Sequence, residues 1–443
     1  MDIRTLLGPI RCLVLLLFAL GVSAAPGLCQ DLEGTSPEEE EGRLQTQAPS
    51  DEVLITVEQY GVGGVIRPGG YAGIRIGLRD KQTDPRDVAV RLHIPDPDGD
   101  TVLEEKQVSI GGDIAGGALW LYGVIPPTFS AGDYLTVTVH ELNDGTVGRQ
   151  IASLRPTAST LVDLVSDRRG SDVGMIGVIV DNDGLGQRAS VPGLSHYENP
   201  MQFVAQRDLV VQHQPFKVVS SIDVGLLPDR WMGLEPYEVL VWSGIDPSSL
   251  DGARAGALRE WIQRGGHLVV MLRHPGQAWF GRDVERVADF VPRATIRPVG
   301  DADLEDYRSL LTWRTREEAE LPARRALYAF DVEPDAQAGE AIPVVSGPDG
   351  PVVVRRLMGA GMITFVGLNL ADVRGPIRGD VFWHRLLGQR FSVVVPRYTG
   401  DGKPRAYTQS GSIDETIADR GIGAEISRSR TAGVGILLAL VLF

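Results

Sequence analysis

The apolar residues of this chain follow two different periods, and the switch between them near Asp172 limits what each part can fold into. From Val53 to about Arg155, apolar and polar residues alternate in short runs: VLITVEQYG, YAGIRIGLRD, DVAVRLHIPDPDGDTVLEEKQVSI, ALWLYGVI and DYLTVTVHEL. Alternation of this kind, clearest in Ala89–Ile94 and Tyr134–Leu142, sends successive side chains to core and solvent in a half-buried antiparallel strand. Pro68-Gly69-Gly70, Pro97-Asp98-Gly99 and Ala131-Gly132-Asp133 separate the runs at the spacing of a β-sandwich. Residues 52–155 are therefore predicted to be an all-β sandwich.

Beyond Asp172 the strands read as unbroken apolar runs, which is how strands buried on both faces look. VGMIGVIVD, FKVVSSI, EVLVWS, HLVVML, VVVRRL and MITFVGL are of this type. Helical patterns lie between them. Pro200–Gln214 can form a helix. Ser248–Arg264 offers Ser248 as a cap, Ala257, Leu258, Trp261 and Ile262 at helical spacing, and Gly265-Gly266 as a stop. Arg378 to about Arg390 carries Val381, Phe382, Leu386 and Leu387 on one face. Strands alternating with helices predict a mostly parallel, doubly wound α/β sheet over residues 165–396. Opposite charges at helical spacing make Asp301–Glu320 a solvated surface helix.

The first unit resembles the immunoglobulin-like sandwiches of bacterial surface proteins, without their disulfide. In the second, LPDRWMGLEPYEVLVWSGID, LREWIQRGGHLVVML and GAGMITFVGLNL resemble class I glutamine amidotransferase-like domains of exported, membrane-tethered bacterial proteins. The resemblance covers about Asp172 to Pro396 and implies a flavodoxin-like sheet with its functional rim at the carboxyl ends of the strands. It also implies a nucleophilic cysteine on a tight turn after a central strand. Here the turn after HLVVML reads Arg273-His274-Pro275-Gly276, and no cysteine follows Cys29. Cysteine is the side chain with useful thiolate at neutral pH, so amidotransferase chemistry lacks its nucleophile. No G-x-S-x-G elbow supplies a serine instead. Gly61, Gly63 and Gly64 lie in the sandwich rather than between a strand and a helix, so they are no phosphate loop.

Several polar residues still fall at the carboxyl ends of the predicted strands. Asp181 and Asp183 follow the first, Ser243 and Asp246 the third, and His274 the fourth; Asn369 and Asp372 follow a late strand, with His384 on the last helix. Two carboxylates and an imidazole could hold a divalent metal or act as acid and base. The same residue types also cap helices and build turns. In the sandwich, Asp96, Asp98 and Asp100 read as a turn rather than a calcium loop, because no bidentate acid follows at the right spacing. Trp120 and Tyr122 share a strand face and read as core.

The ends of the chain carry addresses rather than folds. Residues 1–24 have a basic start, the apolar run Cys12–Val22 and the small residues Val22-Ser23-Ala24 of a signal peptide. Residues 25–51 form an acidic linker with few apolar side chains. Residues 397–430 form a second linker, and residues 431–443 begin an uncharged apolar run, the start of a transmembrane helix. The implied topology is export, with the domains on the outer side of the cytoplasmic membrane. A net charge of −15 and a pI near 5.0 exclude the basic footprint of a nucleic-acid binder. Cys12 and Cys29 rule out a disulfide scaffold. The resulting expectation is a non-enzymatic, membrane-tethered binding or scaffolding protein with cell-envelope partners and no cofactor. A hydrolase or a small-ligand sensor using the rim is the alternative.

Overall fold

The computed structural model describes residues 51–405, apart from 96–99, 112–117, 128, 130–134, 156–162, 165–173, 181–190, 192–193, 195–202, 207–208, 213–215, 273–277, 282–283, 313–320, 322–323, 369–378, 388–391, 395–396 and 399–403. The expected signal peptide, both linkers in the main and the C-terminal apolar run lie outside these residues. Among the described residues no helix is long and apolar enough to cross a membrane. The described residues all belong to one compact unit.

The alternating segments form β1 (Val53–Tyr60), β2 (Val65–Ile66), β3 (Tyr71–Asp80), β4 (Arg86–Pro95), β5 (Thr101–Ile110), β6 (Leu119–Val124), β7 (Thr136–Asn143) and β8 (Thr146–Leu154). They assemble into two antiparallel sheets, β1–β3–β6 and β5–β4–β7–β8. Ile55, Ile74 and Leu121 of one sheet and Val90, Leu92 and Val139 of the other share a single core. The all-β N-terminal part expected from the alternation is present. Asp144-Gly145 turns the β7–β8 hairpin with φ of 50° and 78°, both in the left-handed region that a two-residue type I′ loop requires.

After β9 (Asp163–Leu164), paired in parallel with β2, the chain runs through β10 (Gly174–Val180), β11 (Phe203–Gln206), β12 (Leu209–Gln212), β13 (Phe216–Asp223) and β14 (Val239–Ser243). Then come α1 (Gly252–Gln263), β15 (His267–Met271), β16 (Ala294–Asp303), α2 (Arg308–Leu311), β17 (Arg324–Val332), β18 (Ile342–Gly347), β19 (Gly350–Met358), β20 (Gly361–Val366) and α3 (Gly379–Leu387). The main sheet has seven strands in the order β13–β10–β14–β15–β20–β19–β18. Neighbours from β13 to β20 are parallel, while β19 and β18 run antiparallel. In chain order, the parallel strands are therefore arranged second, first, third, fourth, fifth.

Both faces of this sheet are covered, which explains the unbroken apolar runs. Leu240, Trp242, Val270 and Phe365 point to one core, shared with Leu258, Trp261 and Ile262 of α1. Val241, Val269, Met271 and Val366 point to the other, shared with Leu310 and Leu311 of α2 and Phe382, Trp383 and Leu386 of α3.

Three local expectations fail. Pro200–Gln214 is not a helix: β11 and β12 pair there antiparallel, and β12 pairs again with Ser392–Val394. The β-branched and aromatic residues of FVAQ and LVVQ suit strands, and pairing partners outside the segment decided the matter. Asp251, not Ser248, caps α1, its carboxylate accepting from the Arg254 backbone N–H at 2.8 Å, while Ser248 sits in a 3₁₀ turn. The charge-dense segment begins as strand, and among its described residues the helical part is short, Leu304–Leu311, with one face buried. Asp301–Asp303 end β16, and Leu304, Tyr307, Leu310 and Leu311 are buried.

Candidate functional site: the carboxyl edge of the sheet and the sandwich seam

β10 and β14 are parallel neighbours in the sheet, and their carboxyl ends lie side by side. Ser243 ends β14 at this edge and is 4% exposed, and its Oγ has no hydrogen-bond partner among the described residues. The pleat directs it to the same face as Val239 and Val241. A buried hydroxyl without a partner forfeits its hydration, at about 1–3 kcal/mol.

Gly244 (φ 75°) then bends the chain, and Asp246 accepts from the Ser248 backbone N–H at 2.8 Å. Asp246 is thus the cap of a 3₁₀ turn, Pro247–Ser249. Asp181, Asp183, His274, Asn369 and Asp372 lie outside the described residues, as does the side chain of His384. Of the rim candidates, the structure therefore places Ser243 and Asp246 at one edge.

The opposite face of that edge is filled with aromatic rings. Trp279 meets Trp242 edge-on with ring centroids 5.4 Å apart and Phe365 at 5.8 Å. The Trp242 Nε1–H donates to the Ile245 carbonyl at 3.0 Å, whereas Trp279 Nε1 is buried with no partner among the described residues.

A denser polar arrangement lies where no rim residue was predicted. Leu227-Pro228-Asp229-Arg230-Trp231 docks the sheet unit onto the sandwich. Strand β6 explains how. Its Leu119 and Leu121 face the sandwich core, while Trp120 and Tyr122 pack into the core of the seven-stranded sheet. The Tyr122 hydroxyl donates to the Asp229 carboxylate and accepts from the Asp229 backbone N–H at 3.0 Å; Lys106 Nζ lies 2.8 Å from the same carboxylate. Burial pulls the Asp229 carboxyl up, but Lys106 and Tyr122 outweigh it and hold the group below its ordinary value.

The contacts continue around the seam. Arg230 pairs with Glu104 at 3.5 Å, Trp231 meets Tyr71 edge-on at 5.7 Å, and Arg264 of the turn after α1 stacks over Trp231 at 4.0 Å. The Tyr237 hydroxyl donates to the Val62 carbonyl at 2.6 Å. Beside it, Gly63 (φ 71°) has no room for a side chain, since a Cβ would meet Val219 at 2.5 Å.

The amino edge of the sheet holds a buried polar triad. His267 Nε2 and Thr364 Oγ1 are 2.8 Å apart, and Arg355 Nε donates to that hydroxyl at 3.1 Å. Burial foremost, then the Arg355 charge, pushes the imidazole down to about 3, so His267 is neutral at ordinary pH. Its neighbours are strands on every side, which makes it a structural group. A shallow cavity of about 640 Å³ lies on the sandwich, bordered by Arg86, Asp87, Ser109 and the Asn143–Gly145 turn. Among the described residues no three His, Cys, Asp or Glu side chains come together as metal ligands.

No family model and no curated protein matches this chain. Solved structures with partial likeness include a cytoplasmic protein of Salmonella typhimurium, at 9% identity and a TM-score of 0.28 over 48% of this chain and 96% of that one. Another is CsgH of R. palustris, at 14% identity and a TM-score of 0.17 over 25% and 99% of the two chains. A third is a Paenibacillus cycloisomaltooligosaccharide glucanotransferase, at 13% identity and a TM-score of 0.16 over 48% and 27%. Likeness at these scores defines neither the fold nor the activity of this chain.

Proposed function

We propose that this chain is a non-enzymatic binding or scaffolding protein of the bacterial cell envelope, exported and tethered to the cytoplasmic membrane through its C-terminal apolar run. Its sheet unit is read as a degenerate, flavodoxin-like amidotransferase-like domain carrying an immunoglobulin-like sandwich. The second-first-third-fourth-fifth order of its parallel strands supports that reading of the sheet, and the missing cysteine supports degeneracy. The observation that carries the function is the burial of β6 on both faces. It joins sandwich and sheet in one continuous packed body, as suits a protein that presents surfaces to others.

The edge strand β5 exposes Val102 and Leu103, at 48% and 47%, as a candidate contact. Fractionation of the full-length chain tests the proposal. The protein is expected with the membrane, its folded parts open to protease from outside, and a photo-cross-linker at Leu103 is expected to capture an envelope protein. Recovery from the cytosol, or a hydrolytic activity lost in Ser243→Ala, overturns it.

One observation favours the second reading, a hydrolase or small-ligand sensor: the Ser243 Oγ, without a partner among the described residues, at the carboxyl end of β14.

A further inference from the structure

On the outer face of the sandwich, two imidazoles converge on a single hydroxyl. His93 Nε2 lies 2.9 Å from Thr138 Oγ1, and His140 Nε2 lies 3.1 Å from the same oxygen. Strand pairing brings them together: Arg91 faces Thr138 across β4 and β7, which sets His93 and His140 on either side of Thr138 on one sheet face. The two rings cover the hydroxyl, and Thr138 is buried although it points away from the core.

The hydrogen bonds fix which nitrogens carry protons. His140 Nδ1 is 3.3 Å from the Gly148 carbonyl, which can only accept, so Nδ1 bears the proton and Nε2 presents a lone pair. Thr138 then donates its proton to His140 and accepts from His93. A ring nitrogen anchored to a backbone carbonyl, which leaves the lone pair on the other nitrogen, is the outer support that metal-binding histidines use.

Charged neighbours on the same face are Arg91 and Glu105, bonded to each other at 2.8 Å and so close to neutral as a pair. From β8, Gln150 and Ser153 pair with His140 and Thr138 and bring no charge. Burial, then His140 and Arg91, hold His93 below its ordinary value.

We infer that His93 and His140 are the protein ligands of a surface site for one late first-row divalent ion such as Zn²⁺ or Ni²⁺, with water completing its coordination. Imidazole nitrogen suits these ions. Metal entry moves the His93 proton to Nδ1 and frees Nε2, and both Nε2 atoms turn from Thr138 to the ion. No carboxylate is required as a third ligand. The site is independent of the sheet's carboxyl edge.

Calorimetric titration of the full-length chain with Zn²⁺ and with Ni²⁺ at pH 7.5 tests the inference. One ion is expected to bind, with at least about tenfold weaker affinity in His93→Gln and in His140→Gln. Thr138→Val keeps both nitrogens and is expected to retain binding, which separates ligation from a role of the triad in folding. Uptake unchanged in both histidine variants, placing the ion elsewhere, overturns the site, as does no uptake at all.

Discussion

The seam between sandwich and sheet and the carboxyl edge of the sheet are built from the same residue types, yet they differ in what those residues do. At the seam, Asp229, Tyr122 and Lys106 satisfy one another, and a face of the sheet is closed by aromatic rings from another sheet. At the edge, Asp246 is used up as a cap and Ser243 has a buried hydroxyl with no partner among the described residues. Polar groups that saturate each other hold a structure together. An unsaturated one marks where a ligand could still bind, or where a small cost is tolerated.

The largest expected effect breaks the seam. Tyr122→Ala removes a buried aromatic ring and the Asp229 hydrogen bonds together, and is expected to cost about 3–5 kcal/mol in denaturant unfolding. Hydrogen exchange should then rise in β6 and β13 alike. If only the sandwich loosens, the two parts do not share a core in solution.

A second expectation concerns the buried amino edge. Because the folded state holds His267 down at about 3, the unfolded chain, titrating near 6.5, binds the extra proton first. Stability from this group is whole above 6.5 and is lost as pH falls below it, by about 1.4 kcal/mol per pH unit until the folded-state value is reached. Unfolding followed between pH 7 and pH 4 should show this slope, and His267→Gln should flatten it. An equal slope in the variant assigns the dependence to other groups.

Asp229→Ala should cost less, about 1–2 kcal/mol, since the pair it breaks is partly open to solvent. The carboxyl is held low in the folded state, so its contribution is present above the ordinary carboxylate range and is lost as pH falls through the lowered value. The variant's stability deficit should therefore shrink in acid, as measured by thermal unfolding at pH 7 and pH 3.

The smallest effect sharpens the edge. Ser243→Ala removes an unpaired buried hydroxyl and is expected to leave stability unchanged or raise it by up to about 1 kcal/mol. A loss of stability instead would mean that the hydroxyl has a partner in solution, and the contrast between seam and edge would narrow.

Much of the fold was legible in the chain. The period-two runs located β1, β3, β4 and β7, because alternation is a local consequence of the pleat. The unbroken runs located β10, β14, β15 and β20, because a strand covered on both faces needs apolar residues throughout. Pro200–Gln214 was misread because a short apolar segment fits either period, and β12 became a strand by pairing on both sides. The rim was legible only as residue types at strand ends. Which of them cap turns depends on hydrogen bonds that spacing does not encode, as Asp246 and Asp251 show. The seam left one signal that could have been read: Trp120 and Tyr122 alternate with Leu119 and Leu121, making β6 apolar on both faces within a part where other strands have one polar face.

The sequence by itself determined where many of the strands fall and that no cysteine follows Cys29. Tertiary structure alone decided that the sandwich covers a face of the sheet, that LPDRW is a docking element, and that His93 and His140 meet over Thr138. The physical reason is range. Periodicity reports how a segment divides its own side chains between inside and outside, whereas Tyr122 and Asp229, or His93 and His140, become neighbours only after distant strands have paired and packed.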